Sequence, residues 1–107
     1  MAYSVGMFEQ IVLLAVLRLG EDAYAIPIRE EIERRTGRTV ARGALYTALE
    51  RLEEKRFLRS RMSAPLSERG GRSRRYFTVT PAGLAAVRAS RESLLSLWQG
   101  LEGLLES

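Results

Sequence analysis

Apolar residues recur at helical spacing in four stretches of this chain and alternate with polar residues in two others. The first stretch, Met7–Leu19, is apolar nearly all round a helix, which favours burial on two sides. A second helix is expected from about Ala23 to Arg35, with Asp22 as the candidate N-cap and Gly37 at its C-terminal end. In a chain this short, the second side of the first helix is most easily buried by another subunit. The alternative is a central helix wrapped by its own domain.

The third stretch, Ala41–Phe57, is the helix around which the rest of the chain is organised. One side of it predicts a core-facing stripe formed by Leu45, Ala48, Leu49 and Leu52. The first turn of the other side carries small, hydroxyl and cationic groups: Arg42, Gly43, Tyr46 and Thr47. Such groups let a helix approach a duplex closely and hydrogen-bond phosphates or base edges, although an ordinary amphipathic surface helix also has a charged outer face. A short Gly-containing turn before this helix indicates a helix-turn-helix.

After the third helix the period changes to that of strands. Phe57–Ser63 alternates, and Arg74–Thr80 is rich in aromatic and β-branched residues, so both are expected to be strands. The loop between them turns at Gly70-Gly71. A hairpin directly after a helix-turn-helix predicts a winged helix, whose wing is basic at Arg69, Arg72, Arg74 and Arg75. Arginines in a Gly-rich loop can reach a phosphate or enter a minor groove; the alternative is an ordinary hairpin with a charged tip.

Thr80 and Pro81 open the last helix as N-cap and first residue. Apolar residues then follow at steps of three and four, as in a heptad seam, over about 35 Å if the helix is continuous. With little domain left to cover it, such a helix suggests a dimer interface; the alternative is that it folds back on its own domain. The expected interface residues on the first and last helices are Leu13, Leu14, Leu17, Leu84, Val87, Leu94, Trp98, Leu101 and Leu105.

The length and composition limit the class of protein. A chain of 107 residues fits one compact α+β, mostly helical unit, with a winged helix over residues 1–80 and a C-terminal dimerisation helix over residues 81–107. The chain has no His and no Cys, which excludes the usual zinc ligand sets and the Ser–His and Cys–His nucleophile pairs. It also lacks a Gly-rich phosphate loop. We therefore expect no enzyme activity, no cofactor and no metal.

Two further observations concern the acidic residues and the location of the chain. Most Asp and Glu residues lie at helical spacing beside Arg, as in Arg29-Glu30-Glu31, which indicates a solvated charged face. There is no run of about 18 apolar residues that would span a membrane. The longest apolar run, Ile11–Leu17, is followed by no cleavage-site pattern, so no signal peptide is predicted. We expect a cytoplasmic protein without a membrane partner.

The net charge of +4 is distributed unevenly along the chain. Residues 55–75 contain eight Lys or Arg and a single Glu, whereas the segments on either side each carry a slight negative charge. Concentrated positive charge is typical of a protein with a polyanionic partner, and nucleic acid is the commonest. The alternative is a solubilising surface patch.

Four segments together resemble the short branch of the PadR family of bacterial transcriptional regulators: FEQIVLLAVLRLG, AYAIPIREEIERRTG, GALYTALERLEEK and GGRSRRYFTVTPAG. The resemblance implies a homodimeric winged helix that binds double-stranded operator DNA and usually represses transcription. The third helix would enter the major groove, the wing would touch the backbone, and the last helix would pack against the partner's first helix. A two-fold dimer implies a roughly palindromic operator. The alternative function is a protein-interaction module that docks through the last helix, without specific DNA binding.

By position, the resemblance implies DNA contacts from Arg38, Arg42, Gly43, Tyr46, Thr47, Arg69, Gly71, Arg72, Arg74 and Arg75. Tyr46 would either bond a phosphate or pack beneath the helix. Two residues depart from the family pattern: Ala25 and Arg56 both stand where Gly is frequent. If the second site needs a positive φ, Arg56 is strained by about 1 kcal/mol or more. Some relatives sense small aromatic molecules at the dimer interface, so Trp98 is a candidate both for contacting such an effector and for filling the dimer core.

Overall fold

The computed structural model describes residues 5–65 and 73–106. In chain order these residues form α1 (Met7–Leu19), a 3₁₀ turn (Gly20–Asp22), α2 (Ala25–Thr36), α3 (Arg42–Glu54), β1 (Leu58–Met62), β2 (Arg75–Val79), α4 (Pro81–Trp98) and α5 (Glu102–Leu105). The two strands form one antiparallel sheet, so the α+β, mostly helical class is confirmed. No helix in these two ranges is long and apolar enough to cross a membrane.

The first helix, α1, lies at the centre and packs against α2, α3, α4 and β2. Val12, Leu13, Ala15 and Val16 are buried there, which makes α1 the middle of the hydrophobic core. Each fully buried Leu or Val contributes roughly 1.5–3 kcal/mol through the hydrophobic effect. The apolar circumference of α1 is therefore covered largely by its own domain. Three large apolar side chains of α1, those of Met7, Leu14 and Leu17, stay exposed and are available to another molecule.

The helix-turn-helix is formed by α2 and α3. The predicted N-cap Asp22 is wrong: Asp22 lies in the 3₁₀ turn, where its carbonyl accepts the Tyr24 N–H (3.1 Å), and α2 begins at Ala25. Gly37 ends α2 as predicted, because its φ of 72° is left-handed and its N–H bonds the Glu33 carbonyl. The connection is then fixed by the Val40 N–H, which donates to Glu33 Oε2 at 2.8 Å.

The third helix buries the predicted stripe, which consists of Leu45, Ala48, Leu49 and Leu52. It ends at Glu54, three residues before the predicted boundary, in a Schellman motif. Phe57 N–H bonds the Leu52 carbonyl (2.9 Å), Arg56 N–H bonds the Glu53 carbonyl (3.0 Å), and Arg56 has a φ of 64°. The site does adopt a positive φ, which is the condition under which the sequence predicts strain at Arg56.

The hairpin is attached to the start of α2. Leu58 pairs with Val79, Ser60 with Phe77 and Met62 with Arg75. The Phe77 N–H donates to the Ala23 carbonyl at 2.8 Å, and the Phe77 side chain is buried in the core. Most of the loop that joins the two strands lies outside the described residues.

The last helix begins as predicted, since Thr80 Oγ1 accepts the Gly83 N–H at 3.0 Å and Pro81 is the first helical residue. The prediction of one continuous helix to the C-terminal end is wrong. Gly100 adopts a φ of 88° and separates α4 from the short α5, so α4 is about 27 Å long. The heptad spacing of apolar residues in the sequence continues past Gly100 to Leu101 and Leu105, although the helix itself does not.

Candidate nucleic-acid interface

The outer face of α3 carries the residues that the sequence analysis predicts to face DNA. Arg42, Gly43, Tyr46 and Thr47 are all exposed in the first half of the helix. Tyr46 is 42% exposed and the guanidinium of Arg42 lies 5.7 Å from the centroid of its ring, within the range of a cation–π contact. Tyr46 therefore lies on the surface of α3 and does not pack beneath the helix.

Gly43 leaves a space on this face that the fold itself does not use. A Cβ added to Gly43 would meet no described atom within 4 Å beyond its immediate chain neighbours and the nearby backbone of its own helix. The fold therefore tolerates a larger residue here. A glycine at such a position lets the backbone of another molecule approach the helix closely.

Arg38 precedes α3 in the turn and is exposed. Its backbone N–H donates to Thr36 Oγ1 (3.2 Å), and its guanidinium lies 6.0 Å from the centroid of the Phe8 ring. The cation is thus held beside the start of α1, at the edge of the α3 face.

Three predicted wing residues, Arg69, Gly71 and Arg72, lie outside the described residues.

Arg74 stands at the base of the wing, where its guanidinium lies over the ring of Tyr24. Its guanidinium is 4.0 Å from the centroid of Tyr24, which packs edge-on against Tyr76 with the centroids 5.5 Å apart. Arg61 lies 4.7 Å from the Tyr76 centroid on the neighbouring strand. Two tyrosine rings thus lie between two arginines, and this row of side chains packs the base of the wing against the residue before α2.

Arg75, unlike Arg74, is directed at a carboxylate on α3. Its guanidinium forms an ion pair with Glu53 on α3 and donates from Nε to Ser60 Oγ at 3.1 Å. The positive charge of this predicted DNA-binding residue is therefore directed at a carboxylate of the same chain. Lys55, another cation of the basic segment, is likewise paired, with its Nζ 2.8 Å from Glu9 Oε1. The basic segment thus presents less free charge than its composition indicates.

A cleft of about 490 Å³ lies between the start of α2, the start of α3 and the hairpin. None of the described residues that line it is acidic. Its polar side chains include four arginines and two tyrosines: Arg29, Arg42, Arg74, Arg75, Tyr24 and Tyr46. A polyanionic strand that lay against the face of α3 would pass this cleft, since the cleft joins α3 to the wing.

Sequence reasoning missed Tyr24 and Arg29 as candidate contacts. Arg29 lies on the exposed side of α2, where it pairs with Glu33 at 3.5 Å, and Tyr24 directly precedes that helix. The signal available in the sequence was the presence of aromatic residues both before α2 and in the second strand. Their mutual contact could not be inferred, because it depends on how the hairpin docks onto α2.

The acidic residues of α2 do not all lie on a solvated face, contrary to the prediction. Glu31 is only 8% exposed, and its carboxylate accepts hydrogen bonds from Arg35 (2.6 Å), Arg18 (3.2 Å) and Arg34. The bond from Arg35 lowers the pKa of Glu31 most; burial acts in the opposite direction but is outweighed. Glu9 behaves similarly, because bonds from Lys55 and the Gly6 N–H outweigh its burial and lower its pKa.

Exposed apolar side chains continue along α4 and beyond it. Of the residues expected at a dimer interface, seven are exposed in the single chain: Leu14, Leu17, Leu84, Leu94, Trp98, Leu101 and Leu105. The other two, Leu13 and Val87, are buried in the chain's own core, so their side chains stabilise the single subunit and are not available to a partner. An apolar surface of this extent is typical of a site that another protein surface covers.

Known proteins resemble this chain in sequence and in fold. A family model described as the transcriptional regulator PadR-like family matches residues 13–89. A PadR-like transcriptional regulator from Bacillus cereus has a TM-score of 0.75 at 20% identity, covering 95% of this chain and 94% of that one. A PadR-like transcription factor from Bacteroides fragilis has a TM-score of 0.73 at 24% identity, covering 92% and 90%. A PadR family regulator from Eggerthella lenta has a TM-score of 0.69 at 26% identity, covering 92% and 83%. No curated protein matches the chain.

Proposed function

Because the chain belongs to the PadR-like family of transcriptional regulators, which is not a family of enzymes, we propose that it represses transcription by binding a specific operator as a homodimer. It would do so in the cytoplasmic compartment that holds the DNA. The observation that carries the proposal is the exposed first half of α3, where Gly43 and Thr47 face outward and Arg42 lines a basic cleft that has no acidic residue among its described lining. Small and cationic groups at the start of a helix suit insertion into a major groove.

The exposed apolar surface of α4 supports the homodimer. Large apolar side chains remain exposed along one helix and the segment after it, where only another polypeptide would cover them at low cost. Two copies related by a two-fold axis would present two α3 helices, so the operator would be roughly palindromic, with half-sites about one helical turn apart.

The decisive test is binding to the DNA upstream of the gene that encodes this chain. The purified full chain is mixed with fragments of that region at about 150 mM salt with competitor DNA, where specific binding exceeds non-specific binding by roughly 10³-fold or more. Retention of one fragment would support the presence of a specific operator in it, and reduced transcription from that fragment would support repression. Uniform binding to every fragment that disappears as salt rises would instead favour a protein-interaction module with a basic surface.

The contribution of the wing is tested by replacing two of its arginines. Arg72→Ala combined with Arg74→Ala should weaken binding to all sequences and reduce the slope of log affinity against log salt by about two, if each arginine neutralises one phosphate. Arg88→Ala combined with Arg91→Ala is the matched control, because it also removes two arginines, both exposed on α4. An unchanged slope in the double variant would remove the wing from the interface.

Two further measurements address the dimer and an effector. Leu101→Ser with Leu105→Ser should shift the sedimentation coefficient toward that of a monomer, since both side chains are exposed in the single chain.

Trp98 is the only Trp of the chain and is 44% exposed, so its fluorescence reports on its own surroundings. Quenching by a small aromatic compound, together with release of the DNA, would support an effector site. A blue shift on dimerisation without such quenching would place Trp98 in a dimer core.

A further inference from the structure

Three side chains form a closed network between α3 and the hairpin. Glu53 lies in the last turn of α3, Ser60 in β1 and Arg75 at the first position of β2. Ser60 Oγ donates to Glu53 Oε2 at 2.6 Å, and Arg75 Nε donates to Ser60 Oγ at 3.1 Å. Arg75 Nη2 closes the ring by donating to the other oxygen of Glu53. Both oxygens of one carboxylate are thus used to hold two strands.

The network is partly shielded from water and lies against the core. The side chains of Glu53 and Arg75 are 30% and 45% exposed, so each is partly shielded from water. The Arg75 guanidinium also lies 5.2 Å from the centroid of Phe77, whose ring is buried in the core. Its planar fork is therefore fixed by a carboxylate, a hydroxyl and an aromatic ring, a combination that a Lys could not satisfy.

We propose that Glu53 is a positioning residue for DNA binding, which acts through Ser60 and Arg75 to hold strands β1 and β2 in place against α3. This inference rests on the proposed function. Arg75 then serves to orient the hairpin, and the phosphate contacts come from other cations. The connection matters because α3 and the wing must meet one duplex at the same time. A hairpin already held in place loses less conformational freedom on binding than one that has to be ordered by the DNA.

The test compares Glu53→Gln with Glu54→Gln. Glu54 is the exposed next residue of α3, so the control removes the same charge from the same helix turn. Loss of one negative charge alone strengthens attraction to DNA, and we expect Glu54→Gln to bind the operator fragment as tightly as the unchanged chain or slightly more tightly. Glu53→Gln should bind it about three- to tenfold more weakly, within the range of coupling between residues in one network. An equal gain in both variants overturns the proposal.

A double-substitution cycle separates positioning from direct contact. If Arg75 acts through Glu53, Arg75→Gln should weaken binding in the unchanged chain and have a smaller effect in the Glu53→Gln background. If Arg75 instead contacts a phosphate, its replacement costs the same in both backgrounds and lowers the salt slope by about one. The second result contradicts the proposal.

A measurement without DNA tests the mechanical part. Amide exchange in the hairpin, at Ser63 N–H bonded to the Arg74 carbonyl (2.8 Å) and Phe77 N–H bonded to the Ala23 carbonyl, should be faster in Glu53→Gln than in Glu54→Gln. Equal exchange rates overturn the proposal. If the unchanged chain retains no fragment specifically, both the proposed function and this inference fail. If it does retain one, and the two variants behave alike, only the inference fails.

Discussion

Gly83, in the first turn of α4, packs its backbone directly against the carbonyl group of Phe57. A Cβ added to Gly83 would overlap the Phe57 carbonyl oxygen and lie 3.0 Å from both the carbonyl carbon and Val79 Cγ1. The same oxygen accepts the Thr80 N–H at 3.0 Å, and the Arg56 carbonyl accepts Thr80 Oγ1 at 2.6 Å. The start of α4 is therefore joined to the corner after α3 by these two hydrogen bonds and by the contact of Gly83 with the Phe57 backbone, which cannot give way as a flexible side chain would.

Gly83→Ala should destabilise the fold by about 2–3 kcal/mol, because either the helix start or the corner has to move. Denaturant unfolding followed by circular dichroism measures the change. Gly103→Ala is the matched control, since a Cβ at Gly103 would meet no described atom within 4 Å beyond its neighbours in α5. It should leave the unfolding midpoint unchanged or slightly raised. Equal midpoints for the two variants would contradict the close approach at Gly83.

Arg56→Gly should stabilise the protein by about 0.5–1 kcal/mol. Arg56 is the only described non-glycine residue with a positive φ, and the left-handed region costs an L-residue about 1–2 kcal/mol. Glycine removes that cost but is more flexible in the unfolded chain, which offsets part of the gain. The carbonyl that accepts the Thr80 hydroxyl is kept. Arg59→Gly, at an exposed site in β1, should have the opposite sign, so a lower midpoint for Arg56→Gly would contradict the strain.

Features that depend on neighbours along the chain were predictable. The buried stripe of α3 follows from helical spacing, and Gly37 marks the end of α2 because glycine accepts a left-handed φ. The strain at Arg56 could be expected because the family usually has Gly there. The exposed residues of α3 follow from the same periodicity. For Tyr46 the sequence left two positions open, and the structure places it on the outer surface of α3.

Features that depend on distant side chains were not predictable. The spacing of Glu31 beside arginines is the same on a solvated face and in a buried cluster, and only the packing of α1 brings Arg18 to it. The pairing of Glu53 with Arg75 depends on the hairpin register. The end of α4 depends on whether Gly100 adopts a left-handed φ, and a heptad pattern does not encode that choice.

Gly43→Ala should separate folding from DNA binding. The added Cβ enters open space in the free chain, and Ala is the better helix former, so stability should be unchanged or raised by up to about 1 kcal/mol. If the duplex approaches α3 at this point, the methyl group should weaken operator binding by about tenfold, equivalent to 1.4 kcal/mol. Thermal melting and operator titration measure the two effects. Operator binding equal to that of the unchanged chain would place the approach of the DNA elsewhere on α3.

The lowered pKa of Glu31 makes the stability of the fold depend on pH. Its carboxylate is bonded by Arg35, Arg18 and Arg34, so the folded chain holds the charged form better than the unfolded chain does. A group with a lowered folded pKa stabilises the native state fully above its ordinary pKa of 4.5. That contribution is lost as the pH falls through the lower folded value.

Glu31→Gln should therefore destabilise the protein at neutral pH, where it leaves three guanidinium groups close together without the carboxylate that separates them. As the pH falls from 4.5 through the lower folded pKa of Glu31, the unchanged chain becomes protonated there and loses the same interaction, so the two unfolding free energies should converge. Urea unfolding at a series of pH values measures the convergence. Glu30→Gln, at an exposed neighbour on α2, should differ little from the unchanged chain throughout. A gap between Glu31→Gln and the unchanged chain that persists at every pH would mean that packing, rather than charge, is the contribution of Glu31.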